Sequence, residues 1–155
     1  MYITDFFDKF VQDSRGKIRM IRVVAEMREK SRIPAVVQKY VLFDKTDPLS
    51  PKALEETDIK GCQIVITTTV TATQLAELPL LKGYFTHILI DEAGQILEPE
   101  CIIPLALADA GTCVVLAGDH LQMAPKVGDK FFPTTTRLNC DVFEMFCIHR
   151  LHFDQ

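Results

Sequence analysis

Several features that mark particular protein classes are missing from this sequence. It has no tryptophan and seven glycines among 155 residues, and no apolar run approaches the roughly 18 residues that a membrane-spanning helix needs. The first residues include neither a basic segment nor a long apolar one, so no secretory signal is predicted. We expect a protein without a membrane partner that resides in the cytoplasm, with the nucleus as the alternative.

Positive charge is also scarce. The 17 lysines and arginines are outnumbered by 21 aspartates and glutamates, for a net charge of −4. A protein with a net negative charge does not attract nucleic acid to its whole surface, so any contact with nucleic acid must be local. The small basic cluster of Arg28, Lys30 and Arg32 is interpreted as a solvated face.

The cysteines do not form the pattern of a disulfide framework. There are five of them, an odd number, and Cys101 and Cys113 lie in apolar runs. Buried, reduced thiols are therefore predicted. Cys140, Cys147, His149 and His152 lack the paired spacing of a structural zinc site, so a metal there is the less favoured alternative.

A glycine-rich phosphate loop is missing as well. Such a loop ends in Gly-Lys-Ser or Gly-Lys-Thr and surrounds phosphates with backbone N–H groups. In this sequence Gly16 and Lys17 are followed by Ile18, and Val11 stands where the first glycine of the loop would fall. The sequence therefore lacks the usual means of holding nucleotide phosphates.

What is present is an alternation of buried strands with helices. Hydrophobic residues make up 48% of the chain, enough for one core in a chain of this length. Strands that alternate with helices predict an α/β fold with right-handed crossovers and a parallel sheet. Strand patterns fall at residues 17–24, 62–66, 86–90 and 113–117, and helical patterns at 2–14, 34–41, 50–56, 74–78, 99–108 and 141–146.

Two of these strands deliver polar residues at their carboxyl ends. Strand 86–90 runs into Asp91 and Glu92, and strand 113–117 runs into residues 118–122. In an open parallel sheet the ligand crevice lies outside such strand ends. An aspartate at a strand end can hold the coordination shell of Mg²⁺, and a second carboxylate can reach and orient the attacking water. The plain alternative is a surface pair of carboxylates.

Three segments, taken in order, resemble the first motor domain of superfamily 1 helicases, within the up-frameshift-type group and its helicase-with-zinc-finger branch. They are residues 58–69, 85–95 and 115–125. The resemblance implies that residues 1–155 are a single partial RecA-like P-loop NTPase domain, with a parallel sheet flanked by helices. Met1 aligns after the phosphate loop and Gln155 comes before the second motor domain, so we expect the middle of a helicase core.

The resemblance also implies roles for individual residues. Asp91 would hold Mg²⁺ and Glu92 would activate water in the Walker B segment, while Gln122 of motif III would contact the γ-phosphate of ATP and Gln95 would couple the two motifs. RNA is the favoured partner, with DNA as the alternative, together with the rest of the helicase core. The residues implied to contact ATP are Asp91, Glu92, Gln95, Gly118, Asp119 and Gln122, and those implied to contact the nucleic-acid backbone are Thr67, Thr68 and Thr69.

Three other interpretations stay open at this point. One is a truncated, non-enzymatic module that binds nucleic acid or protein. Another is an unrelated α/β enzyme that uses Asp91 and Glu92 on a metal. The threonines at 67–69 also fit ordinary β-propensity at a strand end.

The implied loss of the phosphate-loop strand predicts that the isolated chain is marginally stable. In the family that strand lies beside the one leading to motif III, so residues 113–117 would keep an open apolar edge that pairs with other chains. Size-exclusion chromatography and thermal melts of the 155-residue chain should show aggregation. A monodisperse monomer with a cooperative melt would count against this expectation.

Overall fold

The computed structural model describes residues 18–118, together with Lys9 and Gln12. The chain divides into two compact units, the first ending at Leu80 and the second beginning at Leu81. The described strands are β1 (Met20–Arg22), β2 (Ile64–Ile66), β3 (His87–Ile90) and β4 (Cys113–Leu116). The described α-helices are α1 (Ala35–Gln38), α2 (Glu56–Ile59), α3 (Thr73–Ala76) and α4 (Glu98–Leu105), with short 3₁₀ helices at Lys30–Arg32, Val70–Ala72, Pro79–Leu81 and Ala93–Gln95.

The first unit contains one parallel strand pair. β1 lies beside β2 with Met20 opposite Ile64 and Arg22 opposite Ile66, and Val23 N donates to Ile66 O at 2.8 Å just beyond the strand. Four buried residues that follow β1, with Phe43 packed against them, form a hydrophobic cluster. They are Val24, Ile33, Val37 and Val41.

Helix α1 begins where the sequence predicts and ends early. Pro34 stands at its N-terminal boundary, a position where the missing N–H of proline costs no hydrogen bond. The predicted helix extended to residue 41, but Tyr40 O instead accepts a hydrogen bond from Arg22 N at 2.7 Å. Pairing with the edge of β1 therefore ends the helix.

The predicted helix over 50–56 is wrong. Pro51 forms an isolated antiparallel bridge with Phe43, and helix α2 starts only after Glu55. There the Glu55 and Asp58 side chains form a capping box, in which Asp58 Oδ2 accepts from Glu55 N at 3.0 Å. Lys52 Nζ adds an ion pair to the same oxygen at 2.9 Å. The capping box therefore decides where α2 begins.

The second unit contains the other parallel pair, with Ile90 of β3 opposite Leu116 of β4. One face of this pair packs against α4, where Cys101 is buried together with Ile90 and Ala93. The opposite face is open, because the Leu89 and Val115 side chains are 68% and 41% exposed. These two residues share a face because the register places them side by side.

The strand positions hold for the described residues, with ends that differ by a few positions, and the parallel α/β class is confirmed. The predicted burial is wrong for most of β3 and β4, because one face of that strand pair has no described layer over it. The described strands form two two-stranded sheets, one in each unit, in place of the single sheet expected. In the described residues no helix is both long and apolar enough to cross a membrane. The predicted helices at 2–14 and 141–146 lie outside the described residues.

The thiols follow the prediction in part. Cys62 and Cys101 are buried and free, whereas Cys113 is exposed, contrary to expectation. The correction has a simple cause, since β4 has no described layer over the face that Cys113 shares with Val115. Burial raises the pKa of the Cys62 and Cys101 thiols. Cys140, Cys147, His149 and His152 lie outside the described residues.

Gly83 is expected to be sensitive to substitution. Its φ of 71° is left-handed, and a methyl group there would lie 2.9 Å from Asp109 Cγ. Asp109 has little freedom to move, because its Oδ1 accepts from Gly111 N at 2.8 Å. Gly83→Ala should therefore lower the free energy of unfolding by about 1 to 3 kcal/mol, measured by urea denaturation.

Gly61→Ala is the matched control for that experiment. Gly61 also has a left-handed φ, of 82°, but apart from its two chain neighbours no residue lies within 4 Å of the position that a methyl group would take. Gly61→Ala therefore has the cost of placing alanine in a left-handed backbone but no steric clash of the kind that Asp109 causes at position 83. Equal losses in the two variants would contradict the role assigned to Asp109.

Candidate functional site

The carboxyl ends of β3 and β4 lie side by side in the second unit. Ala117 N donates to Ile90 O at 2.8 Å, and Ala93 N donates to Ala117 O at 2.9 Å. The ladder therefore continues beyond both strands. It places the Asp91–Glu92 turn against the segment that leads from Ala117 into Gly118.

Asp91 and Glu92 form a turn that hydrogen-bonds to itself. Both side chains are exposed, and Asp91 Oδ1 accepts from Glu92 N at 3.1 Å. Gln95, on the following 3₁₀ helix, donates from Nε2 to Glu92 Oε2 at 3.0 Å. The structure thus brings Asp91, Glu92 and Gln95 together.

Glu92 has a left-handed backbone, with φ 54° and ψ 37°. No other described non-glycine residue has a positive φ. This conformation costs an L-residue roughly 1 to 2 kcal/mol. The surroundings hold it in place, because Ala93 is fully buried and Gln95 N donates to Glu92 O at 2.9 Å. Strain of this kind concentrates at functional sites.

The donor set suits Mg²⁺ in the presence of a nucleotide. Magnesium is usually bound by one or two carboxylates together with phosphate oxygens and waters, and Asp91 and Glu92 offer two exposed carboxylates at one strand end. No group of three or more His, Cys, Asp or Glu side chains within the described range could hold an ion unaided. The arrangement therefore fits an ion that arrives with phosphate ligands.

Of the residues assigned to motif III, the structure describes only the first, Gly118. Gly118 follows Ala117 directly and so lies at the strand end next to Asp91. Asp119 and Gln122 lie outside the described residues.

The three threonines belong to the first unit and follow β2 as a turn. The Thr68 hydroxyl donates to Thr71 Oγ1 at 2.7 Å and accepts from Thr71 N at 3.3 Å, so it is already hydrogen-bonded within this turn. Thr67 Oγ1 donates to Thr68 O at 3.2 Å. Simple strand propensity does not explain this run, because β2 ends at Ile66.

Sequence reasoning missed one charged residue at this end of the first unit. Arg22 is the last residue of β1 and lies opposite Ile66, one position before Thr67. Burial, and then the nearby Arg28, lower the pKa of its guanidinium. The alternating pattern of residues 17–24 indicated a strand, but a pattern of this kind does not reveal which strand lies beside it.

Relief of the strain at Glu92 should stabilise the chain. Glycine adopts the left-handed region without the steric cost, so Glu92→Gly should raise the free energy of unfolding by about 0.5 to 1 kcal/mol despite the lost side-chain hydrogen bond. Glu92→Gln keeps the backbone cost and is the control. Urea denaturation of both variants provides the comparison. A glycine variant no more stable than the glutamine variant would show that the turn stores no strain.

Comparison with known proteins adds independent information. The family model described as "AAA domain" matches residues 44–130. The mouse "Probable helicase with zinc finger domain" is 38% identical over 131 residues, which cover 84% of this chain and 7% of that protein. The human "3'-5' exoribonuclease HELZ2" is 38% identical over 82% of this chain and 4% of its own length.

A further relative is the mouse "RNA helicase Mov10l1", which is 41% identical over 55% of this chain and 8% of its own length. The chain thus spans less than a tenth of each of these relatives. The family model covers more than half of the 155 residues. The chain therefore belongs to the AAA-domain family of superfamily 1 helicases, in the up-frameshift-type group.

Proposed function

We propose that this chain forms part of the ATP-hydrolysing motor of an RNA helicase. The observation that carries the proposal is the Asp91–Glu92 pair, held in a left-handed turn at the carboxyl end of β3 and next to the end of β4. RNA is favoured over DNA because one of the similar proteins is named as an RNA helicase. The other segments of the helicase core are the expected protein partners.

The division of labour between the two carboxylates follows from their positions. Asp91 would hold Mg²⁺, which neutralises charge on the ATP phosphates when bound. Glu92 Oε2 accepts from Gln95 Nε2, which leaves Oε1 to accept a proton from the attacking water. Gln95 would thereby keep the Glu92 carboxylate in one orientation.

The remaining contacts belong to the same proposal. Gly118, which has no side chain, would lie beside the phosphates together with Asp119, and Gln122 would contact the γ-phosphate. Thr67, Thr68 and Thr69 would contact the nucleic-acid backbone through hydroxyl and N–H groups. The Thr68 hydroxyl is already hydrogen-bonded to Thr71, so we expect Thr67 and Thr69 to contribute more of these hydrogen bonds.

A second function is a binding module without hydrolysis. The missing Gly-Lys-Ser or Gly-Lys-Thr sequence favours it, because hydrolysis needs a hold on the phosphates. The coding sequence upstream of Met1 distinguishes the two functions. An in-frame phosphate loop supports the motor, and an authentic start at Met1 supports the binding module.

Glu92→Gln tests the catalytic role directly. The 155-residue chain should hydrolyse ATP negligibly, since it lacks a phosphate loop. In a chain extended by its own flanking coding sequence to include that loop and the second motor domain, Glu92→Gln should lower RNA-stimulated kcat by about 100-fold or more. The KM for ATP should change little, because the amide keeps the size of the side chain. Phosphate release gives both values.

Glu77→Gln is the matched control, since Glu77 is an exposed glutamate on the first unit outside the proposed site. Its turnover should equal that of the unmodified extended chain. Unchanged turnover in Glu92→Gln would overturn the role of Glu92. RNA-stimulated hydrolysis by the 155-residue chain would overturn the need for the phosphate loop.

A further inference from the structure

Ser31 lies among the basic residues of segment 28–32 and takes no part in the proposed motor. Its side chain is exposed, and it belongs to the 3₁₀ helix Lys30–Arg32, which has no buried residue. Arg28 precedes Ser31 by three positions, and the two other residues of the helix are its direct neighbours. No other serine or threonine of the described chain has a cation three positions before it. The surrounding charge therefore distinguishes this hydroxyl group from the others.

The Ser31 hydroxyl is loosely held. It donates to Glu29 Oε2 at 3.3 Å, which is long for a hydrogen bond between two oxygens. Ser50 lines the same open cleft of about 250 Å³ as Ser31, but its hydroxyl donates to Asp47 Oδ2 at 2.7 Å. Ser31 Oγ can therefore leave its contact at lower cost than Ser50 Oγ.

Glu29 connects Ser31 to one of the neighbouring cations. Arg32 Nε lies 3.7 Å from the same Glu29 oxygen that accepts from Ser31. This ion pair is weak, because both of its side chains are at least 70% exposed. In the described part of the chain the Arg28 side chain makes no hydrogen bond or ion pair, and it lines the cleft beside Ser31. Arg28 is therefore free to contact another protein, and Arg32 can exchange its partner.

The segment that contains Ser31 is accessible to another protein. Residues 25–32 are exposed except for Lys30, which is half-buried, and they lie between buried Val24 and buried Ile33. Two backbone hydrogen bonds of 3.0 Å close the 3₁₀ turn. A single turn without a buried residue opens locally at low cost. The segment can therefore extend into the groove of an enzyme.

We propose that Ser31 is a phosphorylation site for a protein kinase whose substrate groove is acidic. Arg28 is the recognition residue, because a guanidinium group binds carboxylates in a bidentate manner. Ser31 Oγ forms a bond to the γ-phosphorus of the ATP bound to the kinase, and the bond from that phosphorus to the β,γ-bridging oxygen breaks. ADP leaves with the electron pair, and the hydroxyl proton passes to the catalytic carboxylate of the kinase. The inference is independent of the proposed function, because it uses neither the Asp91–Glu92 turn nor nucleic acid.

Phosphorylation exchanges the partner of Arg32. A phosphoserine carries about −1.5 to −2 charges at neutral pH, and this charge falls beside the Glu29 carboxylate that now contacts Ser31. Repulsion moves the carboxylate away, and the phosphate pairs with Arg32 in its place. Segment 26–32 holds three cations and two carboxylates, so the added phosphate reverses the sign of its charge.

The test is phosphate transfer to the 155-residue chain. The chain is incubated with Mg²⁺, radiolabelled ATP and the catalytic subunit of cAMP-dependent protein kinase, whose groove is acidic, and tandem mass spectrometry locates the phosphate. Ser31→Ala should remove most of the label. Arg28→Gln should lower kcat/KM of the kinase about tenfold, as expected for the loss of a hydrogen-bonded charge pair.

Ser50→Ala is the matched control, because Ser50 lines the same cleft but follows an aspartate, Asp47, by three positions. It should keep the full label. Lys45→Gln removes an exposed cation outside the segment and should leave the rate unchanged. Circular dichroism checks that the variants are folded. If one of them is not, the position of the phosphate on the unmodified chain decides, and a phosphate on any residue other than Ser31 overturns the proposal.

Phosphorus NMR of the phosphorylated chain tests the exchange at Arg32. Pairing with a guanidinium group favours the dianion, so the second pKa of the phosphate should lie below the value of about 6 of an unpaired phosphoserine. Arg32→Gln should raise this pKa, whereas Glu29→Gln should leave it low. A pKa that Arg32→Gln does not change would overturn the exchange.

Two further results would overturn the site itself. One is an equal rate of transfer to Ser31 by casein kinase 2, whose groove is basic, because the flanking cations would then have no role in recognition. The other is label on a synthetic peptide of residues 24–34 but none on the 155-residue chain, because the folded segment would then be inaccessible. Neither result bears on the proposed function, since ATP hydrolysis by the extended chain is measured without a kinase.

Discussion

The parallel pairing of β3 with β4 is the constraint on which the candidate hydrolytic site depends. A parallel ladder brings the carboxyl ends of both strands to one edge, and the hydrogen bonds of Ala93 and Ala117 extend that ladder past Ile90. Residues about 26 positions apart in sequence, Asp91 and Ala117, thereby become neighbours. The left-handed turn at Glu92 is also stabilised by its neighbour Ala93, which is buried in the hydrophobic cluster that contains Cys101 of α4.

The first unit also has polar side chains at the carboxyl end of a parallel strand pair, but these side chains are of a different chemical type. Its parallel pair ends in Arg22 on one strand and in the threonine turn on the other. Carboxylates at one sheet end suit a metal with nucleotide phosphates, and hydroxyl groups at the other suit a phosphodiester backbone. Each unit thus presents polar groups where its paired strands end.

Strand positions could be predicted from the sequence because a buried parallel strand has a short, continuous apolar run between turn residues. The runs at 62–66, 86–90 and 113–117 meet that description. Helix ends were harder to predict. The boundary of α1 depends on Tyr40 pairing with β1, and that of α2 depends on the Glu55–Asp58 capping box, so contacts outside the local periodicity decided both.

By itself the sequence determined which residue types follow each strand: the Asp91–Glu92 pair, the threonines at 67–69 and the absence of a Gly-Lys-Ser or Gly-Lys-Thr loop. These are properties of chain order and need no folding to be true. The tertiary structure decided which strand lies beside which, that Glu92 is left-handed with Gln95 on its carboxylate, and that Arg22 is half-buried at the end of β1 opposite Ile66. Register, burial and charge proximity arise from contacts between distant segments, and a local pattern does not contain them.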